Sequence, residues 1–272
     1  MPSDMLEAAV LQLNSQGDVS ANLALVERLV AEAAASGAKL VVLPENFAFM
    51  GPEADKRRIA EALDDPSAPI QAALRKIAAR DGVTLIAGGF PEKSPDADRP
   101  YNTSLVVEPG GRALARYRKI HLFDVELGHE SYRESAATSG GSEAVAVGLG
   151  GFQVGLSICY DLRFPELYRR LVDAGAEVLT VPAAFTLNTG KEHWHVLLRA
   201  RAIESQCYVL AAAQWGAHPQ GRQTYGHALI ADPWGTVVAE ASDRIGFVRA
   251  RLERAFLEQV RARVPSLCHR RL

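Results

Sequence analysis

Apolar runs alternate with amphipathic segments along almost the whole chain. Residues 38–46 are mostly apolar up to Pro44, a pattern typical of a strand that is buried on both faces. Residues 18–35 instead repeat apolar side chains at helical spacing behind Asp18, which is the expected N-cap. This alternation predicts an α/β fold in which the helices lie outside the sheets.

Turn and cap signals place the remaining elements. Pro-Gly-Gly at 109–111 predicts a turn between two strands, and Pro165 is well suited to start a helix. Thr189 and Glu192 form a T-x-x-E capping box, which predicts the start of a long helix. Further strands are predicted within 7–14, 83–90, 101–123, 143–149, 152–160, 177–185, 208–214, 225–241 and 245–252, and further helices at 69–80 and 253–263.

Composition narrows the class of protein. With 272 residues, 48% of them apolar and 23% charged, the chain resembles a soluble globular protein, and we predict a single domain over residues 1–272. The net charge of -2 argues against a nucleic-acid partner. No apolar run approaches the ~18 residues of a membrane-spanning helix, and the N-terminus does not resemble a signal peptide. Because three cysteines are too few for a disulfide framework, we expect a cytoplasmic protein with free thiols.

One of these thiols has a catalytic context. Cys159 lies in GLSICYDLRFPEL, between a predicted strand and a helix that starts at a proline. Such a turn exposes a nucleophile, and a nearby helix N-terminus favours the thiolate. The alternative is a buried, small apolar side chain at a strand end. Cys207 is expected in the core, and Cys268 has no catalytic context.

Three ionisable residues are candidates for the same site. Glu45 ends an apolar strand, where desolvation is expected to raise its pKa toward that of a general base. Lys119 shares one face of a predicted strand with Tyr117 and His121, and on a buried face it would stabilise an oxyanion. Glu134 lies in a predicted loop. Taken singly, each also fits a structural role. Glu45 would be a charge at a helix N-terminus or in a surface turn, Lys119 a solvated base and Glu134 an exposed carboxylate.

The spacing of ligand-type residues gives little support to metal chemistry. His193 and His195 are two residues apart and do not share a helix face, and neither H-E-x-x-H nor C-x-x-C occurs in the sequence. The sequence also lacks a phosphate-binding loop of the G-x-x-x-x-G-K-[ST] type. We therefore expect no metal site and no nucleotide cofactor.

Taken together, three segments resemble the nitrilase superfamily of carbon–nitrogen hydrolases. LPEN carries the superfamily's glutamate as Glu45, YRKIHLFD its lysine as Lys119 and ICYDLRFPE its cysteine as Cys159, in the same order. Glu134 is the match to the superfamily's second glutamate. The resemblance covers nearly the whole chain and implies a four-layer α-β-β-α sandwich, a homodimer and a thiol hydrolase without metal or organic cofactor.

A narrower resemblance concerns the substrate. TGKEHWHVLLRARAIESQCYVLAAAQ and YGHALIADPWGTVVAE are similar to the branch that contains the amidases of deaminated glutathione and is related to the ω-amidases. The expected reaction is hydrolysis of deaminated glutathione, a small-molecule amide, to 2-oxoglutarate and Cys-Gly. His195 stands where most relatives carry a glutamate, which leaves the fine substrate preference open.

Substrate-binding residues are expected around the cysteine. Arg163 lies four residues beyond it and would bind a substrate carboxylate through its guanidinium, or would instead pair with Asp161 or Glu166 and brace the turn. The other residues expected to line the pocket or to help bind the oxyanion are Tyr160, Phe185 and Thr189.

Other functions stay open at this point. An ω-amidase acting on 2-oxoglutaramate binds the same 2-oxo acid end but releases ammonia. An N-carbamoyl amide hydrolase or a nitrilase would belong to the same superfamily. A catalytically silent binding protein would keep the fold without the chemistry, and iodoacetamide would then have no reason to label Cys159 much faster than Cys207.

Overall fold

The computed structural model of the protein describes residues 4–63, 65, 67–127 and 130–271. Within these residues the α-helices are Val19–Ala35 (α1), Pro69–Asp81 (α2), Pro165–Asp173 (α3), Leu187–Ser205 (α4) and Arg254–Arg263 (α5). The strands are Met5–Leu13 (β1), Leu40–Val42 (β2), Thr84–Glu92 (β3), Tyr101–Val107 (β4), Ala113–Arg118 (β5), Asp124–Leu127 (β6), Glu130–Arg133 (β7), Ala146–Leu149 (β8), Phe152–Leu156 (β9), Val178–Thr180 (β10), Tyr208–Ala211 (β11), Ala213–Ala217 (β12), Gln223–Tyr225 (β13), Leu229–Ala231 (β14), Val237–Glu240 (β15) and Gly246–Glu253 (β16).

The strands form two large sheets and one hairpin. The first sheet has the order β13-β12-β1-β2-β3-β4-β5, and β16 pairs antiparallel with β1. The second sheet has the order β15-β14-β11-β10-β9-β8, with β9, β10 and β11 parallel. Strands β6 and β7 form the hairpin.

The side chains of β1 show how the layers are stacked. Ala8 and Val10 belong to the core between the two sheets, which α3 and α4 extend on the far side of the second sheet. Ala9 and Leu11 point the other way, into a second core formed with α1 and α2. Because successive strand residues face opposite sides, one strand contributes to both cores. This stacking is a four-layer α-β-β-α sandwich and confirms the predicted fold class.

The helix starts show where local sequence is informative. Asp18 caps α1 as predicted, because its side chain accepts a hydrogen bond from the backbone N–H of Ala21 at 3.1 Å. The predicted capping box at α4 is wrong. The N-cap is Thr186, whose hydroxyl accepts from the backbone N–H of Thr189 at 3.4 Å, and the helix begins at Leu187. Thr186 and Thr189 are three residues apart, and the side chain of either could cap the helix. Thr186 is the N-cap because it has the extended backbone that this position requires.

Two predicted strands end earlier than expected, and both ends bear on the candidate site. Strand β5 stops at Arg118, but the backbone N–H of Lys119 still donates to the carbonyl of Asn102 at 2.9 Å. The alternation of side chains therefore continues, and Lys119 is buried like Tyr117. Strand β9 stops at Leu156, and the chain then turns sharply.

Within the described residues, no helix is long and apolar enough to cross a membrane.

Candidate active site

Cys159 lies on a sharp turn between β9 and α3. It begins a short 3₁₀ turn, Cys159–Arg163, and its backbone φ is +51°. Residues other than glycine rarely adopt this left-handed backbone conformation, which here turns the chain directly after a strand. The backbone N–H of Cys159 donates to the carbonyl of Pro182 at 2.8 Å, in the connection after β10. The turn therefore holds the thiol at the end of the second sheet, as the sequence predicted.

Asp161 holds this turn in place. Its fully buried carboxylate accepts hydrogen bonds from the backbone N–H of Ile158 at 2.9 Å and from the hydroxyl of Tyr117 at 2.6 Å. It also lies 2.7 Å from Nδ1 of His121. These contacts occupy Asp161, so the alternative in which it pairs with Arg163 is wrong.

Glu45 brings a carboxylate to the same place from the first sheet. Its Oε1 accepts hydrogen bonds from Nζ of Lys119 and from Nδ2 of Asn102, both at 2.9 Å. Its Oε2 accepts from the backbone N–H of Ala184 at 3.2 Å. Gly89 makes room for this cluster, since a Cβ atom there would come within 2.5 Å of Oδ1 of Asn102.

Lys119 lies between two carboxylates. Its Nζ is 2.9 Å from Oε1 of Glu45 and 2.8 Å from Oε2 of Glu134, and the side chain is 2% exposed. Glu134 is itself oriented, because the backbone N–H of Phe123 donates to its Oε2 at 2.6 Å. A buried ammonium with two carboxylate partners is held in one position, as the role of an oxyanion ligand requires.

The charges at rest differ from those predicted. Burial acts to raise the pKa of Glu45, but the ion pair and hydrogen bond with Lys119 outweigh it and hold that pKa at about 2. The same attraction, from Glu134 and Glu45, raises the pKa of Lys119 well above its usual value despite burial. The expectation of a raised Glu45 pKa is wrong because the sequence does not show that Lys119 touches this carboxylate.

The surroundings of Cys159 favour the neutral thiol. Burial and the neighbouring Glu45 carboxylate raise the pKa of Cys159 well above its usual value, although Lys119 and the backbone N–H of Ala184 act in the opposite direction. The expected thiolate at a helix N-terminus is therefore wrong. A short 3₁₀ turn separates Cys159 from α3, and the Glu45 carboxylate acts directly on the thiol.

A cavity of about 150 Å³ opens beside these groups. The structure brings all the predicted site residues to its wall; they are Glu45, Lys119, Glu134, Cys159, Tyr160, Arg163, Phe185 and Thr189. The structure gives their positions at the cavity wall, and their catalytic and binding roles stay predictions. His195 does not line the described part of this wall and instead contacts Glu240.

Arg163 is available to a ligand. Its guanidinium lies 5.3 Å from the ring centre of Phe185 and 5.7 Å from that of Tyr160, and Nη1 is 3.2 Å from Nδ1 of His193. No carboxylate of the described residues forms an ion pair with it, so the alternative pairing with Glu166 is also wrong. Thr189 is less free, because its hydroxyl is 2.9 Å from that of Thr186.

Sequence reasoning missed three contributors to the site. Asn102 bridges the two glutamates, with Nδ2 at 2.9 Å from Oε1 of Glu45 and 3.4 Å from Oε1 of Glu134. Ala184 contributes only its backbone N–H, which no side-chain pattern can reveal. Arg222 lines the cavity, and its buried Nε has no hydrogen-bond partner within the part of the chain that the structure describes.

Comparison with known proteins identifies the family. The family model for carbon-nitrogen hydrolases matches residues 7–262. The chain is 48% identical over 269 residues to the deaminated glutathione amidase of Synechocystis sp., and the match covers 97% of each chain.

Solved structures agree with this match. The chain is similar to the crystal structure of the C. elegans NitFhit protein, with a TM-score of 0.93 and 39% identity over 100% of this chain and 66% of that one. It is also similar to a mutant amidase from Nesterenkonia sp. AN1 that shows Michael addition of acrylamide at the active site cysteine. In that case the TM-score is 0.79 and the identity is 27% over 96% of this chain and 98% of that one. The chain is thus a hydrolase of carbon–nitrogen bonds and belongs to the carbon–nitrogen hydrolase family of the nitrilase superfamily.

Proposed function

We propose that the protein is a thiol amidase that hydrolyses deaminated glutathione to 2-oxoglutarate and Cys-Gly through a thioester on Cys159. One observation carries the proposal: a buried thiol, a carboxylate and the ammonium paired with that carboxylate line one cavity. The name of the Synechocystis relative supports the substrate, and the active-site cysteine of the Nesterenkonia amidase supports the nucleophile.

Acylation starts from the neutral thiol. Sγ of Cys159 attacks the amide carbonyl carbon while its proton passes to the Glu45 carboxylate. The carbonyl oxygen becomes an oxyanion, which Nζ of Lys119 and the backbone N–H of Tyr160 stabilise. That N–H has no acceptor among the described residues. The carbon–nitrogen bond then breaks, Glu45 returns the proton to the departing amine, and the acyl group stays on sulfur.

Deacylation repeats the steps with water. Glu45 takes a proton from water as the oxygen attacks the thioester carbon, and the carbon–sulfur bond breaks with return of the proton to Sγ. In the acylation step, by contrast, the lowered pKa of Glu45 and the raised pKa of Cys159 disfavour transfer of the thiol proton to Glu45 before the carbon–sulfur bond forms. Glu134 is a positioning residue, since both its oxygens hold Nζ of Lys119.

The charge of the cavity fits the proposed substrate. Among the described lining residues, five side chains are cationic and three are carboxylates. Deaminated glutathione carries one carboxylate on the 2-oxo acid and one on the terminal glycine. Arg163 is proposed to bind the first, with Phe185 as the apolar wall. Arg222, which lines the cavity and whose Nη1 lies 3.4 Å from Oε1 of Glu53, is proposed to bind the second.

A substrate panel tests this function. We expect a higher kcat/KM for deaminated glutathione than for 2-oxoglutaramate, because only the first substrate offers a second carboxylate. Release of Cys-Gly and of ammonia is measured side by side, with N-carbamoyl amines and simple nitriles included. Preference for 2-oxoglutaramate would make the protein an ω-amidase, and turnover of neither substrate would move it to another branch of the family.

Two arginine variants separate the two ends of the substrate. Arg163→Met should lower kcat/KM for both deaminated glutathione and 2-oxoglutaramate by about 10- to 100-fold, the range for loss of a charged hydrogen bond. Arg222→Gln should lower it only for deaminated glutathione, because 2-oxoglutaramate lacks the Cys-Gly carboxylate. Equal losses for both substrates in Arg222→Gln would contradict the assigned role.

We also propose a cytoplasmic homodimer. Val196, Ile203 and Trp234, on or beside α4, are 66%, 51% and 55% exposed, and apolar surface of this kind favours contact with a second copy. All three cysteines are unpaired, which favours a reducing compartment.

A further inference from the structure

Three side chains with metal-binding atoms meet on the face of the second sheet that carries α4. His195 comes from α4, His227 from the connection between β13 and β14, and Glu240 from the end of β15. Oε1 of Glu240 lies 2.9 Å from Nε2 of His195 and 2.7 Å from Nδ1 of His227. The three ligand atoms lie within 4.8 Å of one another. The residues come from separate elements, so no short sequence motif marks them.

The second ring nitrogen of His227 also has a partner. Nε2 lies 3.3 Å from Oδ1 of Asp243, and the ring stacks on that of Tyr225 with centres 4.4 Å apart. A carboxylate on the far nitrogen of a histidine orients the ring and increases its basicity toward a metal. His227 is thus held with Nδ1 directed at the point that His195 and Glu240 share.

We propose that His195, His227 and Glu240 bind one divalent transition-metal ion, for which zinc is the best fit. Two imidazoles and one carboxylate are an established zinc ligand set, with metal–ligand distances of about 2.0–2.2 Å. Tetrahedral bonds of that length need about 3.3 Å between ligand atoms, so Oε1 of Glu240 must move away from each of the two histidine nitrogens by about 0.5 Å. They are free to do so, because His195, His227 and Glu240 are 32%, 25% and 34% exposed. The exposure also leaves room for a water as fourth ligand.

The ion would act as a structural link. It would join α4 to the β14–β15 region, and Glu240 and Asp243 would balance its charge. None of the three ligands lines the described part of the active-site cavity. Removal of the metal should therefore lower thermal stability without changing the initial rate of amide hydrolysis. The metal site is therefore tested by metal binding and thermal stability, whereas the proposed function is tested by turnover alone.

Zinc binding to the untagged full chain tests the site. After treatment with EDTA and desalting, titration calorimetry with Zn²⁺ should give one site per chain, and Co²⁺ should give the absorption of a tetrahedral complex. His195→Gln and Glu240→Gln should weaken zinc binding by at least about tenfold, and Asp243→Asn by about 10- to 100-fold. Cys159→Ala controls for binding at the active-site thiol, and His269→Gln controls for exposed histidines.

The outcomes are distinct. Zinc should raise the Tm of the wild type, Cys159→Ala and His269→Gln, but not that of Glu240→Gln, and circular dichroism of the metal-free variants checks that each is folded. If the wild type has no stoichiometric site, the contacts are hydrogen bonds only and the inference is wrong. It is also wrong if folded His195→Gln and Glu240→Gln bind zinc as tightly as the wild type does.

Discussion

Cys159→Ala should abolish amide hydrolysis in a protein that keeps its fold. The substitution removes the sulfur that forms the thioester, and no other thiol lines the described part of the cavity. In other enzymes that use a covalent nucleophile, its loss lowers kcat by at least about 10⁴-fold. The fold should survive because alanine fits the same backbone, and the turn depends on Asp161 and the Pro182 carbonyl rather than on the sulfur.

Cys207→Ala is the matched control. Cys207 is also buried, but its sulfur contacts the carbonyls of Ala176 and Ser205 in the core. This variant should be somewhat less stable and should keep the activity per folded molecule. Product release by both variants, together with their thermal unfolding curves, measures the difference. Substantial turnover by well-folded Cys159→Ala would contradict the covalent mechanism.

Lys119→Met and Glu45→Gln should each lower kcat far more than they raise KM. Lys119 is assigned to the oxyanion and Glu45 to proton transfer, and both interactions are strongest in the transition state. Loss of one oxyanion ligand commonly costs about 100- to 1000-fold in rate. If the kcat of either folded variant stays within about threefold of the wild-type value, the role assigned to that residue is wrong. A change of about threefold is only a small fraction of the expected loss.

Stability must be measured with these variants. Lys119→Met leaves Glu45 and Glu134 without their shared cation, and an unpaired buried charge is strongly destabilising. Glu45→Gln is milder, because Lys119 keeps Glu134 and the amide retains most of the shape. Lys76→Met, on an exposed lysine of α2, controls for the change of side chain.

Many strands and helices of the fold were predictable from local patterns, whereas the four-layer sandwich was implied by the resemblance to the superfamily. Alternation along β1 and the helical repeat behind Asp18 are set by residues that are neighbours in sequence. The position of Cys159 after a strand and before Pro165 was predictable for the same reason. The capping register at α4 was not, because Thr186 and Thr189 both fit a cap and tertiary contacts select between them.

The chemistry of the candidate site depended on contacts that no local pattern contains. Desolvation alone predicts a raised pKa for Glu45, and the opposite shift comes from Lys119, 74 residues away in the sequence. Asn102 is one of three consecutive polar residues in β4, and its two glutamate partners lie 57 and 32 residues away. His193 and His195 do not share a helix face, whereas in the fold His195 meets Glu240 from another element.

Partitioning of the acyl group tests the covalent mechanism most directly. Deaminated glutathione and 2-oxoglutaramate differ in the leaving group and, by this account, give the same 2-oxoglutaryl thioester on Cys159. In buffer that contains methanol, both substrates should therefore yield the same ratio of methyl ester to free 2-oxoglutarate, measured by mass spectrometry. A ratio that changes with the leaving group would show that the two substrates share no acyl-enzyme, and it would contradict the thioester mechanism.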